Sequence, residues 1–439
     1  MKRRDFLKSS AALALAAGTA DIAKALTLPK ETETPPEGKL LASAPLLENY
    51  AETSMGVAFA VNALANGYVL VGEKPDLSDA RKVKCGGYRL CDISDKVLQV
   101  RLTGLKPATR YYYRIGADRI HYGGGYDMKI LGTEEDPTVY SFITAGTAAK
   151  AHFCVINDTH VQWEAISAAI EMMAALEPSC VIWNGDASNT EESIEAQMKI
   201  FLQPEMERKD YGARTPYLFC PGNHDSRGWA NRHLEQVWMY RQPEERSSRD
   251  WDLGRNFAFR MGEVALVGLD TAEDKLDSNP VFAGLFNSGP YREAQAVWLQ
   301  EVLQREDIAS APYLVAFCHI PLFDPRPDEN PGDLAPADTA PGYQRNWAAW
   351  QRTCARLWGP LLEKAGCQLL ITAHQHRYRY DAPEATGQGW AQIVGGGNAR
   401  SSTSYPTVIE GKVEGGALRV LVHNAFSGEL VAEHRFLPR

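Results

Sequence analysis

Phe153-Cys154-Val155-Ile156-Asn157-Asp158-Thr159-His160 joins four apolar residues to a carboxylate and an imidazole. A short apolar run bounded by polar residues predicts a strand buried on both faces. Residues 161–176 then carry helical spacing, and Cys180-Val181-Ile182-Trp183 is a second buried run, closing on Gly185-Asp186. The pattern continues. A helical stretch at about 190–208 precedes Tyr217-Leu218-Phe219-Cys220, which runs into Gly222-Asn223-His224-Asp225. Leu314-Val315-Ala316-Phe317-Cys318 ends in His319, and Gln368-Leu369-Leu370-Ile371 leads to His374-Gln375-His376. Helices are expected over 292–305 and 346–365. Strands alternating with helices imply an α/β core, and short strands return after 376.

Ligands collect at the carboxyl ends of strands in α/β sheets. Here five successive predicted strands end in residue types that bind metals. One such end alone says little, because a lone His is usually structural. Five in order, each after an apolar run, are specific. Phosphate esters resist attack because their anionic oxygens repel a nucleophile. Two adjacent cations offset that repulsion and generate hydroxide at neutral pH. Cations held that close need a bridging anion, and a carboxylate suits the role. A mixed nitrogen and oxygen donor set favours borderline or hard cations over thiolate-seeking ones.

The order D-x-H, G-D, G-N-H-D, H and H-x-H resembles the calcineurin-like metallophosphoesterase superfamily over about residues 151–435. The resemblance implies a four-layer αββα domain with two metal ions, iron, manganese or zinc, alone or mixed. By motif position, Asp158, His160 and His376 bind the first ion, Asn223, His319 and His374 bind the second, and Asp186 bridges them. His224 faces the substrate and stabilises or protonates the leaving oxygen, and Asp225 orients His224 by a hydrogen bond. Two positions depart from the pattern. Purple acid phosphatases read G-D-x-x-Y, and here Asn189 stands where their iron-binding Tyr would be. No purple charge-transfer band is therefore expected, and Asn189 becomes a candidate for pointing at metal or substrate. Ala373 replaces the usual Gly before H-x-H, which is tolerable if the backbone there does not need positive φ.

Upstream, residues 41–146 read as short alternating strands separated by turns, such as 56–61, 68–71 and 97–102, a β-sandwich pattern. Leu105-Lys106-Pro107 precedes Tyr111 and Tyr113 at an offset that suits a tyrosine corner. This segment resembles fibronectin type III modules, and more closely the sandwich that precedes the catalytic domain of purple acid phosphatases. The expected organisation is thus an all-β sandwich at 41–146 followed by the α/β domain at 147–439, with a linker at 26–40. Residues 1–25 read as a targeting segment, with Arg3-Arg4-Asp5-Phe6-Leu7-Lys8 resembling a twin-arginine signal. The twin-arginine machinery is then an expected partner, and a periplasmic or secreted location follows. Export in the folded state would let metal load first.

Composition sets the outer limits. The chain has 439 residues, 44% hydrophobic and 23% charged, which is globular. Its net charge is −9, and removing residues 1–25 takes away five basic and two acidic residues to give −12. No basic run offers a nucleic-acid footprint, and no long apolar stretch after the signal predicts stable membrane insertion. Eight cysteines without a CxxC pair do not make a scaffold. Cys85 and Cys91, flanking a Gly-rich turn, are the candidate disulfide for an exported chain.

Arg227 is a further candidate for a substrate phosphate, or a surface residue. Asp324, Arg326, Asp328 and Glu329, in the long Pro-rich connection 320–345, form a lid or a solvated loop. The other long connection is 273–291. Trp163 stacks on an aromatic leaving group or packs in the core, and His423 lines the site or is structural. His121, His152, His233 and His434 have no motif context. The function expected is an exported dimetal hydrolase of small phosphate esters, with hydroxide attacking phosphorus in line and His224 assisting departure of the alcohol. Monoesters are favoured over diesters such as cyclic nucleotides or phospholipid head groups. A decayed relative that only binds is the alternative of another class.

Overall fold

The computed structural model describes residues 38–86, 92–240, 251–325 and 343–439. The predicted signal, most of the linker, Cys91, and Arg326, Asp328 and Glu329 lie outside the described residues. Two sheets stack at the centre of the chain. The larger has nine strands in the order Leu430–Phe436, Ala417–Asn424, Thr407–Glu414, His152–Ile156, Cys180–Trp183, Tyr217–Phe219, Leu46–Glu48, Ser54–Ala60 and Val97–Thr103. The second has six: Phe257–Met261, Val264–Leu269, Tyr313–Cys318, Leu369–Thr372, Ala391–Val394 and Arg379–Asp381.

Strand alternation sorts the side chains into layers. Phe153, Val155 and Ile182 face inwards, meeting Leu266, Val315, Phe317 and Ile371 of the second sheet in one apolar cluster. Cys154, Ile156 and Val181 face outwards, covered by Ile166, Ile170 and Met173 of the helix Trp163–Leu176 and by Met198 and Phe201 of the helix Ile194–Phe201. On the far side, Val267, Leu314 and Ala316 pack under Leu299 of Ser288–Val302 and Trp358 and Leu362 of Tyr343–Lys364. Helix, sheet, sheet and helix make the four layers. Within each sheet the core strands run parallel, so Ile156, Trp183 and Phe219 end on one edge, and Cys318 and Thr372 do so in the other.

The N-terminal segment forms β-structure, including a third sheet from Arg81–Lys84, Ala65–Gly72, Arg110–Gly124 and Asp127–Glu135, with Tyr140–Ile143 beside Arg110–Gly124. Tyr111 accepts a hydrogen bond from the Lys106 amide at 2.9 Å, the contact a tyrosine corner makes. The sandwich is not a separate bead. Glu48 pairs in parallel with Tyr217, so three N-terminal strands extend the nine-stranded sheet. The Tyr113 hydroxyl donates to the Ala213 carbonyl at 2.7 Å, and Phe59, Val69 and Ile115 share a continuous core with Phe153 and Leu218. Among the described residues, no helix is long and apolar enough to cross a membrane.

Candidate metal centre

The turns that follow the core strands are tight. Asp158, His160, Asp186, His374 and His376 all hold positive φ, between 44° and 68°. L-residues in that region cost on the order of 1 kcal/mol each or more, and such strain clusters at functional sites. Two glycines make the approach possible. A Cβ on Gly185 would lie 2.3 Å from His319 Nδ1, and one on Gly222 would lie 2.3 Å from Asp186 Oδ1. Ala373 is not among the positive-φ residues, and its methyl is fully buried, so the departure from Gly costs nothing there.

The side chains converge on two buried carboxylates. Asp158 Oδ2 accepts from Asn157 Nδ2 at 2.7 Å and from the His374 amide at 2.9 Å. Its Oδ1 has no hydrogen-bond partner among the described residues. That oxygen faces Nε2 of His376 at 3.3 Å, of His319 at 3.7 Å and of His160 at 4.0 Å. Asp186 Oδ2 faces Nε2 of His319 at 3.1 Å and of His160 at 3.6 Å, while its Oδ1 accepts from the His224 amide at 2.9 Å.

Two groups that could hold a metal ion result. Asp158, His160, Asp186 and His376 bring donor atoms within 4.8 Å of one another, and so do Asp186, His319 and His374. Asp186 belongs to both. Asn223 stands beside the second group, its Oδ1 lying 2.9 Å from His374 Nδ1.

The electrostatics fit a cation. Burial opposes charge on Asp186, yet His319, His224 and His160 hold its carboxyl well below the usual range. Asp158 is lowered against the same burial by His319 and His376. Burial also disfavours charged His319, but Asp186 and Asp158 push it up to about 10. The pocket therefore prefers positive charge where His319 Nε2 meets the two carboxylates. His319 Nδ1 is tied to the Asn184 carbonyl at 2.9 Å, which leaves Nε2 as the atom that exchanges a proton for a cation. Asp158 Oδ1 and His319 Nε2, both buried and making no hydrogen bond among the described residues, are what a nitrogen and oxygen donor set for metal requires.

Asn189 does not aim at this centre as a ligand. Its Oδ1 lies 3.0 Å from His160 Nδ1 and its Nδ2 donates to the His160 carbonyl at 3.3 Å. Acceptance at Nδ1 fixes the proton there and leaves His160 Nε2 for the cluster.

The expected bond from Asp225 to His224 is not made. Asp225 Oδ2 accepts from the amides of Asp186 at 2.7 Å and Gly222 at 2.9 Å, and Oδ1 accepts from the Ser188 amide at 3.0 Å and hydroxyl at 2.9 Å. All its acceptor capacity goes into tying two turns together, so it places Asp186 rather than His224. Burial, with Asp186 close by, pushes its carboxyl up to about 6.

His224 is partnered instead by Arg227, whose Nη1 lies 3.2 Å from Nε2. The His224 and His160 rings meet edge to face with centroids 4.8 Å apart. Arg227 is not free for a phosphate. Its Nε and Nη2 each reach Glu273 at 2.8 Å, and Nη2 reaches Asp274 at 3.1 Å. Glu273, Asp274 and Lys275 have no place among the sequence candidates. The signal was present: Val264-Ala265-Leu266-Val267-Gly268-Leu269 is an apolar run ending in Asp270, with the acidic pair just beyond.

The remaining candidates stand elsewhere. Trp163 packs against the outer apolar cluster. His423 and His152 both reach Glu410, at 3.4 and 2.8 Å, in the sheet. His434 bonds Tyr378 at 2.9 Å and stacks on Tyr380. Asp324 accepts from Gln375 at 3.0 Å, between the two His of the H-x-H turn.

Residues 151–378 match the family model described as calcineurin-like phosphoesterase. The chain belongs to that family. It is therefore a metal-dependent phosphoester hydrolase. No curated protein sequence matches it. Solved structures with the same overall fold include a purple acid phosphatase, PPD1, from yellow lupin (Lupinus luteus) seeds. It is 12% identical, with 90% of this chain and 75% of that one covered and a TM-score of 0.59. A structure of PhoD is also 12% identical, covering 92% of this chain and 94% of that one, with a TM-score of 0.57. At these identities the likeness speaks to fold alone. Both alignments span the N-terminal β-structure as well as this phosphoesterase's α/β layers.

Proposed function

We propose that the chain hydrolyses small phosphate esters at a pair of cations bridged by Asp186. Asp158, His160 and His376 would hold one cation, and Asn223, His319 and His374 the other. The observation that carries this reading is that one buried carboxylate belongs to both groups. Iron, manganese and zinc all suit the donors. When bound, the cations supply the charge that offsets phosphate repulsion and the acidity that makes water a nucleophile. The protein's own part is placement. Asp225 fixes the turn that presents Asp186, Asn189 fixes the His160 ring, and His224 stands beside both to assist the leaving oxygen.

Monoesters are the first substrate class proposed, supported by the likeness of 90% of this chain to a structure of a purple acid phosphatase. A second reading, diesters, is supported by Arg227. Its charge is offset by Glu273 and Asp274, and Lys275 is tied to the same pair at 3.3 and 2.7 Å. Cations so paired have little left for a second phosphate charge, which suits a monoanionic ester. The Arg3-Arg4 segment supports export by the twin-arginine route, and Lys at both positions is expected to abolish it.

The test is initial rates on a chromogenic phosphomonoester and the matching diester, using manganese-reconstituted and chelator-stripped protein. Metal-dependent turnover is expected, and the faster ester names the class. Asp186→Asn is expected to lose paired metal uptake. Two metals retained in that variant would overturn the bridging role. Turnover of neither ester would narrow the substrate to one with further recognition elements, or reopen the binding-protein reading.

A further inference from the structure

Glu273 and Asp274, the first two residues of the long connection 273–291, are both fully buried. Carboxylates so placed need partners. Glu273 has Arg227 on both oxygens, and its Oε1 also accepts from the Asp274 amide at 3.0 Å. Asp274 Oδ1 takes Lys275 Nζ at 2.7 Å and Arg227 Nη2 at 3.1 Å. The other oxygen of Asp274 is different. Oδ2 has no hydrogen-bond partner among the described residues and lies 3.9 Å from Nε2 of His374.

The two nitrogens of His374 have separate surroundings. Nδ1 lies 2.9 Å from Asn223 Oδ1, on the side of the second group. Nε2 faces Asp274. An imidazole that gives its Nδ1 lone pair to a cation carries its proton on Nε2, and such rings are usually held by an acceptor at that second nitrogen. We propose that Asp274 is that acceptor: a positioning residue that fixes the ring and tautomer of His374 and strengthens it as a ligand. The inference rests on the dimetal reading above. It also gives the Glu273–Asp274 pair a place on both sides of the centre. Through Arg227 the pair reaches His224, and through Oδ2 it reaches His374.

The experiment is manganese binding to the metal-free full chain, by calorimetry and by metal analysis after dialysis. Low-temperature paramagnetic resonance would report the coupled two-manganese signal. The wild type is expected to take up two ions. In Asp274→Asn and Asp274→Ala the first ion should bind as before and the second about 10- to 100-fold more weakly, with the coupled signal appearing only at correspondingly higher manganese. Unchanged affinity for the second ion in both variants would overturn the inference and leave the dimetal reading standing. Equal loss of both ions, with a lower melting temperature of the metal-free protein, would show a merely structural role and overturn it too. If Asp274→Ala does not fold, the near-isosteric Asn variant carries the test. A wild type that binds fewer than two ions would overturn the dimetal reading itself.

Discussion

Arg227 places Nη1 3.2 Å from Nε2 of His224 while Glu273 grips its other nitrogens. A guanidinium can only donate, so His224 Nε2 must accept. The ring proton then sits on Nδ1, which has no hydrogen-bond partner among the described residues. Burial lowers the imidazole to about 4. Asp186 works the other way, and Arg227 adds to the lowering. His224 is thus neutral at pH 7 in this arrangement.

The first prediction concerns Arg227→Met. Removing the guanidinium should raise the His224 pKa, read by nitrogen NMR titration of the ring. It should also leave buried Glu273 without its guanidinium, with Lys275 at 3.3 Å as the remaining cation, at a cost of up to about 3 kcal/mol. Adding Glu273→Gln should recover most of that stability in a denaturant melt. A ring pKa that does not move would mean that Arg227 only braces the loop.

Asp225→Asn is a sharper test than its small change suggests. Asp225 accepts four hydrogen bonds from the Asp186, Gly222 and Ser188 backbone and the Ser188 hydroxyl. An amide must turn its NH2 towards donors on one side, leaving those donors unpaired. The expected loss is about 2–4 kcal/mol. The Asp186 turn should relax with it, weakening both metals together. Unaltered stability with slowed turnover would instead restore a direct role for Asp225 in orienting His224.

Asn189→Ala removes the acceptor at His160 Nδ1, 3.0 Å away. The first metal, not the second, should then weaken by about 10-fold or more, measured by competition with a chelating dye. The iron-loaded wild type should show no visible phenolate band, because Asn occupies the position where a Tyr would bind. A band in the visible spectrum would mean that another Tyr reaches the centre.

Much of this candidate centre was legible because each candidate ligand follows a short apolar run. Phe153–Ile156 is too short an apolar run for a helix and reads as a buried strand, so Asp158 and His160 fall at its carboxyl end, and the same logic placed Asp186, Asn223, His319 and His374. The four layers followed from strand–helix alternation. What stayed hidden depends on contacts far apart in the chain. Arg227 meets Glu273 across 46 positions, and no local pattern announces the pair. Asp225 stood next to His224 in sequence, yet its carboxylate turned to the backbone of another loop, where several buried amides outcompete one imidazole. The pairing of Glu48 with Tyr217, which fuses the N-terminal strands to the larger sheet, is likewise a matter of tertiary register.

Glu48 carries the last prediction, away from the metals. It is wholly buried where the N-terminal strands join the α/β layers. Oε2 accepts from the Met239 amide at 2.8 Å, and Oε1 has no hydrogen-bond partner among the described residues. Burial raises its pKa from the ordinary 4.5 to about 8, against the smaller opposite pulls of the Met239 amide and Arg101. The folded chain therefore keeps this proton up to about pH 8, while the unfolded chain releases it near 4.5. Between those values the unfolded state binds fewer protons, so this contribution to stability is full below pH 4.5 and lost as the pH rises to 8. Glu48→Gln keeps an acceptor for Met239 and cannot titrate. Its stability relative to the wild type should rise across that window, by up to a few kcal/mol, and level off above it. Urea midpoints of both proteins, taken at several pH values, would show this as diverging curves. Parallel curves would place the charged carboxylate in contact with Arg101 or water, and the burial argument would fail.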